Sequence, residues 1–175
     1  MSQTTMANPM LQPRIGKVVV NICVGKSGEP LKKAMTVLEK LVGQKPCQRM
    51  AKKAVRDWGI RMNEPIACIV TLRGQKAIEF TKSVLDVVDN KLSRSCFDTN
   101  GNFSIGIKEH IEIAGVRYDP SLGIFGMDVC VAMEKLDYHV KRRRILKAHV
   151  GHRHKLQPEE AVEYVKRTFG TEIVE

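Results

Sequence analysis

The chain has 175 residues, a formal net charge of +10 and 43% hydrophobic content, enough for one domain with a real core and too apolar for a disordered basic tail. No apolar run approaches the roughly eighteen residues of a membrane span, so a soluble chain with no membrane partner is expected, and Met1–Ala7 lacks the basic and apolar regions of a secretory signal. The charge is sorted into blocks, +9 over residues 1–61, −2 over 62–133 and +3 over 134–175.

In chain order, residues 17–24 (KVVVNICV) are rich in β-branched side chains and bounded by Gly25, which predicts a strand. Residues 28–42 place Leu31, Ala34, Met35, Leu38, Leu41 and Val42 at helical spacing, with Gly43 ready to close the helix. The basic stretch 44–56 is a candidate second strand, and residues 57–64 a hairpin-like loop. Residues 65–72 (PIACIVTL) predict a third strand, and about 75–92 a second helix burying Ile78, Thr81, Leu85, Val88 and Leu92.

Asn100-Gly101 signals a turn feeding a strand near 102–107. Tyr118-Asp119-Pro120 opens another turn, and 127–133 is the last core strand. Pro158 at a first helical position, Glu159 and Glu160 in the first turn and Gly170 after the last frame a final helix. The order of elements predicts an α+β fold, with helices packed on one face of a mainly antiparallel sheet and the other face open. Residues 8–175 form a single domain in this reading, and 1–7 a tail. Five cysteines, an odd number spread wide with three inside apolar runs, fit reduced, buried thiols of an intracellular protein better than a disulfide framework.

Familiar motifs weaken on inspection. Gly25-Lys26-Ser27 has the tail of a nucleotide-binding P-loop, but Val20 stands where that loop needs its first glycine. What survives is a generic phosphate cradle at a helix N-terminus. His149, His152 and His154 are close enough to suggest zinc, yet Arg153 and Lys155 would repel a cation and no cysteine has ligand spacing. Gly123-Ile124-Phe125-Gly126 has the letters of a KH loop but sits between a turn and a strand rather than between helices. No nucleophile triad, metal-binding His-Glu pattern or spaced carboxylate pair appears, since Asp86/Asp89 and Glu159/Glu160 read as solvated helix faces. The sequence therefore predicts neither an enzyme nor a cofactor.

The basic blocks carry the signal. Solubility alone is served by interspersed charge. Two basic surfaces flanking a near-neutral segment suit a polyanion that touches the protein in more than one place, nucleic acid first. Arg49, Lys52, Lys53, Arg56 and Arg61 crowd a loop holding the only tryptophan, Trp58. An aromatic beside cations is a stacking surface for structured RNA, unless the ring anchors the hairpin in the core instead. From Lys135 to Lys155 eight Lys or Arg face one Asp.

Asn8-Pro9-Met10, RIGKVVVNICVGKSGE (14–29), GQKP (43–46), KKAVRDWGIRMNEPIACIVTLRG (52–74), SCFDTNGNFSIGIKEHI (95–111) and YDPSLGIFGMDVCV (118–131) follow in order. Together they resemble the universal large-subunit ribosomal protein five family in its archaeal form, over residues 8–175. The resemblance implies a non-catalytic protein of the cytoplasmic ribosome that binds 5S rRNA in the central protuberance through the open side of its sheet. Carried over by motif, the 5S contacts fall on Lys17, Asn21, Gln44 and Thr71. Asn21 and Thr71 are polar positions in apolar strands, where burial without a partner would cost roughly 1–3 kcal/mol and RNA would supply one.

The family's long hairpin loop, which reaches P-site tRNA, maps onto Asp57, Trp58, Gly59, Ile60, Arg61, Met62, Asn63 and Glu64. Arg61 is the expected phosphate contact, and Trp58 stands where the family more often has Phe. The region 107–126 resembles the part that bridges to small-subunit protein thirteen. Further contacts to large-subunit rRNA are expected from Lys52, Lys53, Arg142, Arg143, Arg144 and Arg153. Neighbouring 5S-binding ribosomal proteins complete the implied partners.

Overall fold

Strand β1, Pro13–Cys23, is the axis of the molecule because it is hydrogen-bonded along both edges. The computed structural model describes residues 8–115 and 119–174; the expected tail 1–7 and Tyr118 lie outside them. In chain order β1 is followed by α1 (Glu29–Val42), β2 (Cys47–Met50), β3 (Pro65–Leu72), α2 (Gln75–Val87) and β4 (Lys91–Ser93). Then come β5 (Phe103–Ile107), β6 (Met127–Lys135), α3 (His139–Arg142), α4 (Pro158–Phe169) and β7 (Glu172–Val174). Five strands form one antiparallel sheet in the order β2-β3-β1-β6-β5, and β4 and β7 form a separate parallel pair. The fold is α+β.

Alternation along the strands sorts the side chains. Val18, Val20 and Ile22 of β1, Cys68, Val70 and Leu72 of β3 and Val129, Val131 and Met133 of β6 share one buried face. Leu31, Ala34 and Leu38 of α1, Ala77, Val84 and Leu85 of α2 and Ala161 and Val165 of α4 complete that core. On the other face the strands present Lys17, Val19, Asn21, Ile69, Thr71 and Cys130, none of them fully buried. One irregularity sets this arrangement. Ile15 pairs with Met133 and Lys17 with Ala132, so Gly16 is an extra residue in β1. The bulge turns Lys17 outward although Ile15, two residues earlier, points inward.

The helices follow their local chemistry. Gly43, at φ 66°, closes α1 with its N–H donated to Glu39 O at 2.8 Å. Helix α4 begins with Gln157 and Glu160 capping each other's backbone and ends at Gly170, φ 69°. Lys135 lies buried at the end of β6 and pairs with Glu160 at 2.6 Å, tying α4 to the sheet.

Four sequence expectations are corrected. Helix α2 stops at Val87 because Asp89 and Asn90 adopt positive φ, and Leu92 belongs to β4. Its buried face is Ala77, Phe80, Thr81, Val84 and Leu85, while Ile78 is exposed. The second strand shrinks to four residues, since the chain from Ala51 onward turns into the hairpin. Of the five free cysteines only Cys68 is buried; Cys23, Cys47 and Cys130 are exposed, the last on the unsealed face of β6. An apolar run does not bury both faces of a strand when helices cover only one.

Leu38, with no exposed surface, sits at the centre of the α1–sheet contact. Leu38→Ala is expected to lower stability by about 2–5 kcal/mol, read as a lower urea midpoint at unchanged m-value.

Candidate nucleic-acid interface

The unsealed face forms a plate with no cation at its centre. Asn21 pairs with Ile69 of β3 and Asp128 of β6, and Val19 with Thr71 and Cys130. Adjacent strands lie about 4.8 Å apart, so Asn21 and Thr71 are near neighbours on one surface. Lys17 stands on the same face of β1, opposite Ala132. Gln44 does not join them on a strand: it is exposed in the loop between α1 and β2. The plate also carries Asp128; partial desolvation, with the Asp128 charge beside it, raises the Cys130 thiol above its ordinary pKa.

At one end the plate opens into a groove of about 670 Å³. Lys17, Arg73, Lys141, Arg142, Lys155 and His149 line it, from three separated stretches of chain, with Asn100 and Asn102 on its wall. Asn102 is fixed there by accepting the Met133 N–H at 3.1 Å. Sequence reasoning missed Arg73, Lys141 and Lys155 as parts of one site. The available signal was the position of Arg73 directly after β3 and of Lys141 and Lys155 within the second basic block.

Of the second block's expected contacts, Arg142 lines the groove and Arg144 is exposed beside it. Arg143 donates from Nε to Leu146 O at 2.7 Å and so shapes the turn. Arg153 stands in a short 3-10 turn, His152–His154, and its side chain lies outside the described residues. Lys135, counted in the same block, is spent inside the fold on Glu160. Among the described residues no group of three or more His, Cys, Asp or Glu is placed to hold a metal ion. His154 Nδ1 instead lies 3.8 Å from Asp137.

The second basic surface is a hairpin between β2 and β3. Ala51 donates to Glu64 O at 2.8 Å and Asn63 to Ala51 O at 3.0 Å, closing its base. Val55 and Ile60 pair further out, leaving Arg56, Asp57, Trp58 and Gly59 at the tip. Gly59 has φ 67° and turns the chain. Trp58 is 75% exposed, which removes the core-anchor alternative, and Met62 is exposed as well. Lys52, Lys53, Arg56 and Arg61 project from the same hairpin into solvent.

Glu64 braces this loop. The Ser27 hydroxyl donates to one of its carboxylate oxygens and the Arg61 N–H to the other at 3.0 Å. These bonds, with the Arg61 charge, hold its pKa below the ordinary carboxylate value. Glu64 and Glu29 thus both stand near the N-terminus of α1, where a free phosphate cradle was expected. In the 107–126 region, buried His110 accepts the Phe125 N–H at 3.3 Å on Nδ1, while Asp119 pairs with Lys40 of α1 at 3.4 Å. Gly123-Ile124-Phe125-Gly126 is loop leading directly into β6, as the turn reading requires.

Because the Glu64 pKa is depressed in the folded state, its bracing is present above the unfolded carboxylate value and lost as pH falls through the folded one. The protection factor of the Arg61 amide, its observed exchange measured against the intrinsic rate at each pH, is therefore expected to hold at neutral pH and to fall once the pH drops below the ordinary carboxylate range. Glu64→Gln should show weak, pH-independent protection at the same amide.

Comparison with known proteins adds to this geometry. The family model described as ribosomal protein L5 matches residues 8–61, and the companion model for the C-terminus of the same ribosomal family matches residues 65–164. The large ribosomal subunit protein uL5 of Sulfurisphaera tokodaii is 47% identical, over all of this chain and 99% of its own length. The proteins of the same name from Aeropyrum pernix and Methanococcus maripaludis are 47% and 45% identical, each over 95% of this chain and over 88% and 93% of their own lengths.

Proposed function

This chain belongs to the ribosomal protein L5 family, and from that premise we propose that it anchors 5S rRNA in the central protuberance and reaches P-site tRNA with its hairpin. At the coarser level it is a non-enzymatic constituent of the large ribosomal subunit that binds ribosomal RNA, in the ribosome of the cytoplasm. The observation that carries the finer reading is the shared placement of Lys17, Asn21 and Thr71 on a sheet face the helices leave uncovered, continuous with the cationic groove. RNA sugars and phosphates give such half-buried polar groups partners, and the groove's cations give affinity. Gln44 contributes from the neighbouring loop. Residues 8–175 act as one unit in this reading.

Exposed Trp58 beside Arg56 and Arg61 supports the hairpin's role as a separate RNA contact. In this reading Asp57 to Glu64 meets tRNA through its backbone and Arg61. The loop preceding β6, with Ile124 51% exposed, faces the small subunit and its protein thirteen. Lys52, Lys53, Arg142, Arg144 and Arg153 meet large-subunit rRNA, alongside the other 5S-binding proteins.

Binding of the purified protein to 5S rRNA, with tRNA as competitor and across a salt titration, tests the reading. Selective binding that weakens steeply with salt is expected; equal binding to both RNAs would reduce the protein to a general basic RNA binder. Asn21→Ala and Thr71→Ala should each weaken 5S binding about fivefold without lowering the unfolding temperature. Unchanged affinity in both would remove the sheet-face assignment. Arg61→Ala should leave isolated 5S binding intact and reduce tRNA protection of the hairpin in assembled ribosomes; a loss of isolated 5S binding would argue against a separate loop role.

A further inference from the structure

Among the described residues lining the groove there is one carboxylate, Glu134, and its surroundings are built to hold it. Its side chain is 16% exposed, on the open face near the end of β6. Oε1 receives the Arg142 guanidinium at 2.9 Å and lies 3.5 Å from that of Arg14. Gly16, the extra residue of the β1 bulge, lies directly beneath. A Cβ at that position would fall 2.5 Å from Glu134 Cδ and 2.7 Å from Cγ, so the carboxylate occupies space that only a glycine leaves free. Three features converge on one anion: a bulge, a missing side chain and two arginines from opposite ends of the chain.

Simple electrostatics makes this acid a defect, since it cancels positive charge where a polyanion is to bind. We propose that Glu134 is a positioning residue, which fastens Arg142 and the 139–155 arm to the sheet so that the groove's cations are already spread for an RNA backbone. Arg142 uses one Nη for the carboxylate, and its guanidinium keeps further N–H groups for phosphate. Just outside the arm, Tyr138 Oη accepts the Leu156 N–H at 2.7 Å and Lys135 pairs with Glu160, and within it His154 Nδ1 lies 3.8 Å from Asp137. Among the described residues Glu134 is the carboxylate that pairs with a cation lining the groove, Arg142. Ordering that arm before binding removes an entropic cost from association.

The two accounts differ in sign, which makes the test direct. Binding of wild type and Glu134→Gln to 5S rRNA and to tRNA is measured over a range of salt concentrations, with circular dichroism and thermal melts as the folding control. Positioning predicts that E134Q binds both RNAs about three- to tenfold more weakly, with a shallower salt slope, although its net charge rises by one. Affinity equal to or above wild type, with a steeper slope, would overturn the proposal and leave Glu134 as a mere brake on binding. Gly16→Ala changes no charge and displaces the carboxylate, so it is expected to weaken binding in the same direction, and serves alone if E134Q does not fold. This inference rests on the RNA-binding reading, but the two fail separately: wild type that does not prefer 5S sinks that reading, whereas the ratio of variant to wild type judges Glu134 on either RNA.

Discussion

Strand β1 is asked to satisfy two edges and only one face. Its backbone is paired on one side by β3 and on the other by β6, so its polar groups are met within the protein. Its side chains are sealed on the helical face alone. Val18, Val20 and Ile22 bring α1, α2 and α4 against the sheet, and by the same alternation Lys17, Val19 and Asn21 are left outward. The interface is thus the reverse side of the core. No loop has to fold over the sheet to create it, and the strand that is buried deepest also presents the plate most rigidly.

The cations are gathered at the margins of that plate rather than at its centre. The centre holds Asn21, Thr71, Val19, Ile69 and Cys130, with Asp128 among them. Cations gather in the end groove and on the hairpin, which lie in different parts of the molecule. A centre without cations and basic margins would, in the proposed reading, separate two tasks. Phosphates at the margins would supply attraction and its salt dependence, leaving the centre to distinguish one RNA surface from another by shape and hydrogen bonding.

Much of this was legible before any coordinates, because β1, β3, β5 and β6 have clear β-branched or alternating patterns and α1 and α4 carry their own stop signals. The open face was legible too, from polar Asn21 and Thr71 inside apolar strands. What escaped was decided at a distance. The three-residue pairing of β4 with β7 has no local signal, and it ends α2 earlier than periodicity alone suggests. The cysteines of apolar runs were expected inside, yet an apolar neighbour in sequence says nothing of which face a strand residue takes. Lys135 counted as surface charge until its partner Glu160 was seen. Arg73, Lys141 and Lys155 belong to one groove only because β3, β6 and the arm after it end at the same edge.

The parallel pairing of Lys91–Ser93 with Glu172–Val174 has a consequence for the order in which the protein can be made. As the chain leaves a ribosome, β4 waits some eighty residues for its partner, and β1 waits for β6 across most of the sequence. The central strand therefore stays open along one edge until β6 has been synthesised, and the plate that would receive RNA does not exist before then. A nascent chain carries its first basic block well before the sheet that orders the plate is complete.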